Sequence, residues 1–139
     1  MKLQTATRLG LYAALELARD PGRTLSAADL AGRFDVSSHH LAKVLRTLSN
    51  AGLVRGGRGA SGGYRFTGNR RRTTLMDIVA LFEPAPGRRA REPGESTDIG
   101  GALRRVLGEI DEIAEATLRS ISLETLLNAS RPGSAAASS

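Results

Sequence analysis

Apolar residues recur along this chain at helical spacing in six stretches, with one strand-like pair between the third and fourth. Over residues 5–18, Leu9, Tyr12, Ala13, Leu15 and Leu17 fall mostly on one helical side. Asp20-Pro21-Gly22 ends that helix, because proline lacks a donor and glycine accepts a turn. Ser26 followed by Asp29 reads as an N-cap with an acid in the first turn, and Ala27, Leu30, Ala31 and Phe34 then face inward. After the break 35–38, with Ser37 or Ser38 as cap, a third helix runs from His39 to about Asn50. Its apolar face is Leu41, Val44, Leu45 and Leu48, and Gly52 suits the left-handed position that closes it.

Leu53-Val54-Arg55 and Tyr64-Arg65-Phe66 are short strand-like runs around GGRGASGG, which predicts a glycine-rich basic hairpin. Thr74-x-x-Asp77 caps a helix over 75–82, and a loop rich in Pro, Gly and Arg follows. Asp98 is read as the N-cap of a long helix. There Ile99, Leu103, Val106, Ile110, Ile113 and Thr117 alternate at steps of four and three, a coiled-coil-like seam. Leu107, Ala114, Leu118 and Ile121 widen it. Residues 122–127 form a short last helix, and 129–139 read as a disordered tail.

Charge changes this picture more than composition does. Residues 1–82 hold 13 Lys and Arg against 5 Asp and Glu, net +8, whereas residues 83–139 hold 7 against 9, net −2. A basic front half suits a polyanion. Aromatics are only 4% of the chain, so Leu, Ile, Val and Ala must build the core. With no cysteine, disulfides and thiolate-ligated clusters are excluded. The start, MKLQTATRLG, is helical in pattern without an apolar leader. The most apolar run, Leu9–Ala18, is too short to span a bilayer, so a cytoplasmic protein is expected.

The informative unit is helix, turn, helix and basic hairpin across residues 26–66. A helix-turn-helix buries one side of its second helix and offers the other to the major groove. It therefore needs an apolar stripe opposite polar side chains near that helix's start. SSHHLAKVLRTLSN meets this demand: Ser37, Ser38, His39 and His40 stand first, with Lys43 and Arg46 beyond. On the hairpin, Arg55 and Arg58 can neutralise phosphate or enter a minor groove, and Gly59 and Ser61 share the tip. The rival chemistries are weak. No Lys-Ser or Lys-Thr follows the glycines as a nucleotide loop requires, and adjacent His39 and His40 point apart on a helix, so no metal site is expected. No nucleophile with an adjacent base and no cofactor fingerprint are found, so no enzyme is expected.

These motifs resemble the Rrf-two family of bacterial winged-helix regulators. The likeness is carried by MKLQTATRLGLYAALELA, VSSHHLAKVLRTLSNAGLV at 36–54, RGASGGY at 58–64, TLMDIVALFEP at 74–84 and SLETLL at 122–127. The resemblance implies a mainly α fold: a winged helix-turn-helix with a β-hairpin wing over 1–83, a loop over 84–97 and a dimerisation segment over 98–127 ahead of the tail 128–139. It implies a homodimer bound to a pseudo-palindromic double-stranded operator, most often as a repressor. Recognition contacts fall on Ser37, Ser38, His39, His40 and Lys43, and wing contacts on Arg58 and Gly59. Arg58 matches a wing arginine that enters the minor groove. The dimer seam falls on Ile99, Leu103, Val106, Ile110, Ile113 and Leu118.

The chain departs from its cluster-binding relatives at the sensor. Three cysteines in and after the loop are replaced within PAPGRRAREPGESTDIG, the third by Asp98, while Arg8 and Gly101 stand at fourth-ligand positions. No cluster and no other cofactor are expected. A small-molecule effector between loop and long helix, a partner protein, or control by abundance alone remain open as the signal. The alternative function is a protein-interaction module that uses the winged fold as scaffold and binds DNA without sequence preference.

Overall fold

The computed structural model describes residues 2–57, 62–84 and 90–131. Its elements run α1 (Thr5–Arg19), α2 (Ala27–Phe34), α3 (Ser38–Asn50), β1 (Val54–Gly56), β2 (Tyr64–Phe66), α4 (Leu75–Phe82), α5 (Asp98–Ser120) and α6 (Leu123–Ala129). The fold is mainly helical, with one antiparallel hairpin and a long C-terminal helix, as the hydrophobic pattern predicts.

Local chemistry sets the helix starts. Ser26 and Asp29 form a reciprocal capping box on α2, and Thr74 and Asp77 form another on α4. The Ser26 backbone N–H and side chain hold the Asp29 carboxyl below the usual carboxylate range. Its share of α2 stability is therefore full above that range and is lost as pH falls through the lowered value. Ser37, not Ser38, caps α3 by accepting from the His40 N–H. On α5 the cap is Thr97, whose hydroxyl accepts from the Gly100 N–H. Asp98, expected to be the cap, is the first helical residue and sits at the positive end of the helix dipole.

One core cluster gathers Leu9, Ala13 and Leu17 of α1, Leu30 of α2, the α3 stripe, Val54 and Phe66 of the hairpin, Ile78 of α4 and Leu123 and Leu127 of α6. Tyr12, expected on the inner side of α1, is half exposed and instead meets the Phe34 ring, centroids 5.6 Å apart. α1 and α4 approach closely because position 10 is glycine: a Cβ there would stand 2.4 Å from the Phe82 ring. Glu83, just beyond α4, supplies the cap that Gln4 lacks. Its carboxylate accepts the Gln4 N–H at 3.0 Å and the hydroxyl of fully buried Thr7.

The hairpin pairs Val54 with Phe66, Arg55 with Arg65 and Gly56 with Tyr64. The first strand is thus shifted one residue from the expected 53–55, because the Leu53 carbonyl accepts from Thr67 and Gly68 where the chain leaves the sheet. Leu25 adds a third edge, exchanging backbone hydrogen bonds of 2.9 and 2.7 Å with Tyr64. Gly63 permits this, since a Cβ there would meet the Leu25 backbone at 3.0 Å.

The chain end returns to the beginning. The Leu75 N–H donates to the Ile121 carbonyl and the Leu123 N–H to the Thr73 carbonyl, both at 2.9 Å. Glu124 accepts Arg70 and Arg71 in ion pairs. Leu123, fully buried, makes α6 part of the same core as α1. Truncating a buried leucine leaves a cavity that the surroundings fill only in part. Leu123→Ala is expected to cost about 2–5 kcal/mol, read as a lower midpoint of one cooperative denaturant transition that includes the first-half helices.

Candidate nucleic-acid interface

The turn between α2 and α3 is built on Asp35, the residue with φ of 55° that closes α2. Aspartate enters this left-handed region more readily than most residues. The Val36 N–H then satisfies the Ala31 carbonyl, and Ser37 opens α3. Leu41, Val44, Leu45 and Leu48 are at most 2% exposed, so α3 is fixed in rotation by its buried stripe. The opposite side must face outward.

On that side stand His39, Lys43 and Arg46, all exposed, at steps of four and three. Asn50, four residues further, continues the same line and is also exposed; its place in the period was the signal that could have included it. Ser37 and Ser38 are exposed at the helix start, and His40 is half-buried on a flank. The first turn of α3 carries no acid, unlike those of α2 and α4. From residue 36 to residue 76 the chain holds eight Lys and Arg and no Asp or Glu. In sequence, α3 and the hairpin thus share one segment without negative charge, suited to displacing counterions from a polyanion.

The hairpin contributes Arg55, exposed on β1. Arg58, Gly59 and Ser61 of the wing tip lie outside the described residues. So do Arg88 and Arg89 of the loop and residues 132–139 of the tail. Arg65, exposed on β2 directly across from Arg55, was not singled out from sequence because strand register is not legible there.

On α5, Ile99, Leu103, Val106, Ile110 and Ile113 are between 50% and 84% exposed, forming an apolar stripe that the single chain leaves in solvent. Leu118 is placed differently: it is partly covered by its own chain's core cluster. Beside the first turns of α5 lies an open cleft of about 420 Å³, whose lining includes Arg91, Arg104, Arg105, Glu95 and Asp98.

Residues 3–129 match the family described as "Rrf2: Iron-dependent Transcriptional regulator". The chain belongs to the Rrf2 (Rrf-two) family. BadM of Rhodopseudomonas palustris, named as an HTH-type transcriptional regulator, is 50% identical over 127 residues, covering 91% of this chain and 81% of BadM. The HTH-type transcriptional regulator CymR of Bacillus subtilis is 37% identical over 84 residues, covering 60% of this chain and 61% of CymR. Among solved structures, CymR, titled the global cysteine regulator of B. subtilis, superposes with a TM-score of 0.75 at 29% identity, covering 92% of this chain and 97% of that one. The T. potens IscR gives 0.72 at 27% identity, covering 92% and 87%.

This Rrf2 chain is therefore a DNA-binding transcriptional regulator by family, related to regulators rather than to enzymes. Its residues do not fit a thiolate-ligated iron site. The sequence has no cysteine, and among the described residues no three His, Asp or Glu converge to hold a metal. No helix among the described residues is long and apolar enough to cross a membrane.

Ser37 separates folding from binding. Ser37→Asp keeps a capping side chain but puts a carboxylate at the exposed start of α3, ahead of Lys43 and Arg46. Thermal stability is expected to change by only a few tenths of a kcal/mol, while fluorescence anisotropy reports a large loss of DNA affinity.

Proposed function

We propose that this chain is a homodimeric, cytoplasmic transcriptional repressor that carries no iron–sulfur cluster and has no catalytic activity. Residues 1–83 read DNA, 84–97 receive the signal and the 98–127 segment joins two copies through α5; the tail boundary expected at 128 falls inside α6, which runs to Ala129. Each protomer lays His39, Lys43 and Arg46 of α3 in the major groove, with Ser37, Ser38 and His40 around the helix start. The wing sets Arg55, Arg58, Gly59 and Ser61 along the adjacent backbone and minor groove.

The observation that carries this reading is the exposed stripe on α5. Exposed apolar surface of this extent marks an interaction site. A second copy of the same stripe satisfies it by two-fold symmetry, with Leu118 at its margin. Two recognition helices then meet half-sites about one helical turn, roughly 34–36 Å, apart. The operator is pseudo-palindromic double-stranded DNA, and binding over a promoter represses. The signal is a small molecule or a partner protein; the cleft formed by Arg91, Arg104 and Arg105 lies against the start of the pairing helix, where an occupant would alter its setting.

Sedimentation and operator footprinting test this together. Val106→Glu with Ile110→Glu is expected to give a folded monomer, since both side chains are exposed in the single chain. Its operator affinity falls by about 10²-fold or more, because the second recognition helix no longer binds intramolecularly. A wild-type monomer, or one that binds all sequences alike, favours the interaction-module reading. A dimer that selects a symmetric site by roughly 10³-fold over random DNA supports the repressor.

A further inference from the structure

Arg55 and Arg65 are direct cross-strand partners on the hairpin. The neighbouring pair, Val54 and Phe66, is buried, so alternation sends both arginines to the outward face, where both are exposed. Side chains directly opposite in an antiparallel pair start roughly 4.5–5.5 Å apart at Cβ, and like charges so placed are destabilising. Among the described residues no acid is ion-paired with either arginine. Ion pairs elsewhere join Arg19 and Arg33 to Glu16, and Arg70 and Arg71 to Glu124. From residue 36 to 76 the sequence offers no carboxylate at all.

The strand that carries Arg65 is also held firmly. Tyr64 exchanges both of its backbone hydrogen bonds with Leu25, while Gly63 beside it accepts from the Gly57 N–H at 2.7 Å, so the strand is bonded on both edges. The two guanidiniums are therefore presented on a paired strand rather than a loose tip. A fold that sets two cations face to face without a counter-charge gains most when an anion is inserted between them.

We propose that Arg55 and Arg65 form a phosphate clamp on the outer face of the wing, in which both guanidiniums hold one phosphodiester of the double-stranded DNA. The clamp rests on the DNA-binding reading given above and adds Arg65 to it. Guanidinium groups suit this ligand because their planar fork donates two parallel hydrogen bonds to a phosphate. The contact positions the protein and reads no base. Arg65 thus contributes to all sequences alike, in contrast to the groups on α3.

The clamp has a signature that a merely structural arginine lacks: loss of DNA affinity together with gain of fold stability. In Arg65→Gln the repulsion is relieved, so Tm is expected to rise by about 1–3 °C. Affinity falls roughly tenfold, on operator and random DNA by the same factor. The slope of log K against log salt loses about two units per dimer, one for each guanidinium removed from a phosphate. Arg65→Glu, which gives Arg55 an opposite charge, raises Tm further and removes binding more completely. Arg55→Gln does the same as Arg65→Gln, and the double substitution adds no further Tm gain. The proposal is overturned if Arg65→Gln keeps the wild-type affinity and salt slope, or if Tm and affinity fall together. A wild-type chain that binds no DNA overturns the clamp along with the reading beneath it, and is told apart because no wild-type slope exists to compare.

Discussion

The buried stripe of α3 is the constraint on which the rest depends. Four apolar residues, none more than 2% exposed, lock the rotation of a helix of 13 residues. Apolar burial is non-directional, but at helical spacing it becomes directional: fixing one side leaves the opposite side no choice. His39, Lys43, Arg46 and Asn50 are outward because Leu41, Val44, Leu45 and Leu48 are inward. The turn at Asp35 and the cap at Ser37 then set where the line begins. Around this helix, α1, α2 and β1 complete its socket.

The second half works by the opposite rule. α5 buries none of its 23 residues within the single chain, although its pattern is amphipathic. The helix is about 34 Å long at 1.5 Å per residue, and it is anchored only at its ends. The loop residue Gly94 presses on Gly100 at one end, and Ile121 ties the other to α4. An amphipathic helix without a home in its own core gives the molecule a surface whose energy is not yet balanced. The outward side of α3 is polar and tolerates water; the α5 stripe does not. That difference in solvation lets one small chain carry two faces of different purpose.

What could be read in the sequence divides along the same line as local and distant physics. Ser26, Ser37 and Thr74 are legible caps because their oxygens reach only three residues ahead. The stripes on α3 and α5 are legible because a helical period needs no partner to define it. Thr97 and Asp98 both carry capping side chains, and sequence alone gave the wrong one. Distant pairings were not legible at all. Nothing local announces that Leu25 pairs with Tyr64, that Arg65 stands opposite Arg55, or that Glu83 caps a helix 79 residues away in the chain. Each of these needs the tertiary fold before the partner exists.

The return of α6 to the first-half core means that the fold has no clean dividing line along the chain. Leu123 and Leu127 lie more than a hundred residues from Leu9 and Ala13, yet they fill the same core. Contacts so distant in sequence are slow to form, because the intervening chain must give up its freedom before they repay it. The closure that seats α6 also draws the C-terminal end of α5 to the body, so the exposed helix is held in place by residues that it does not itself contain.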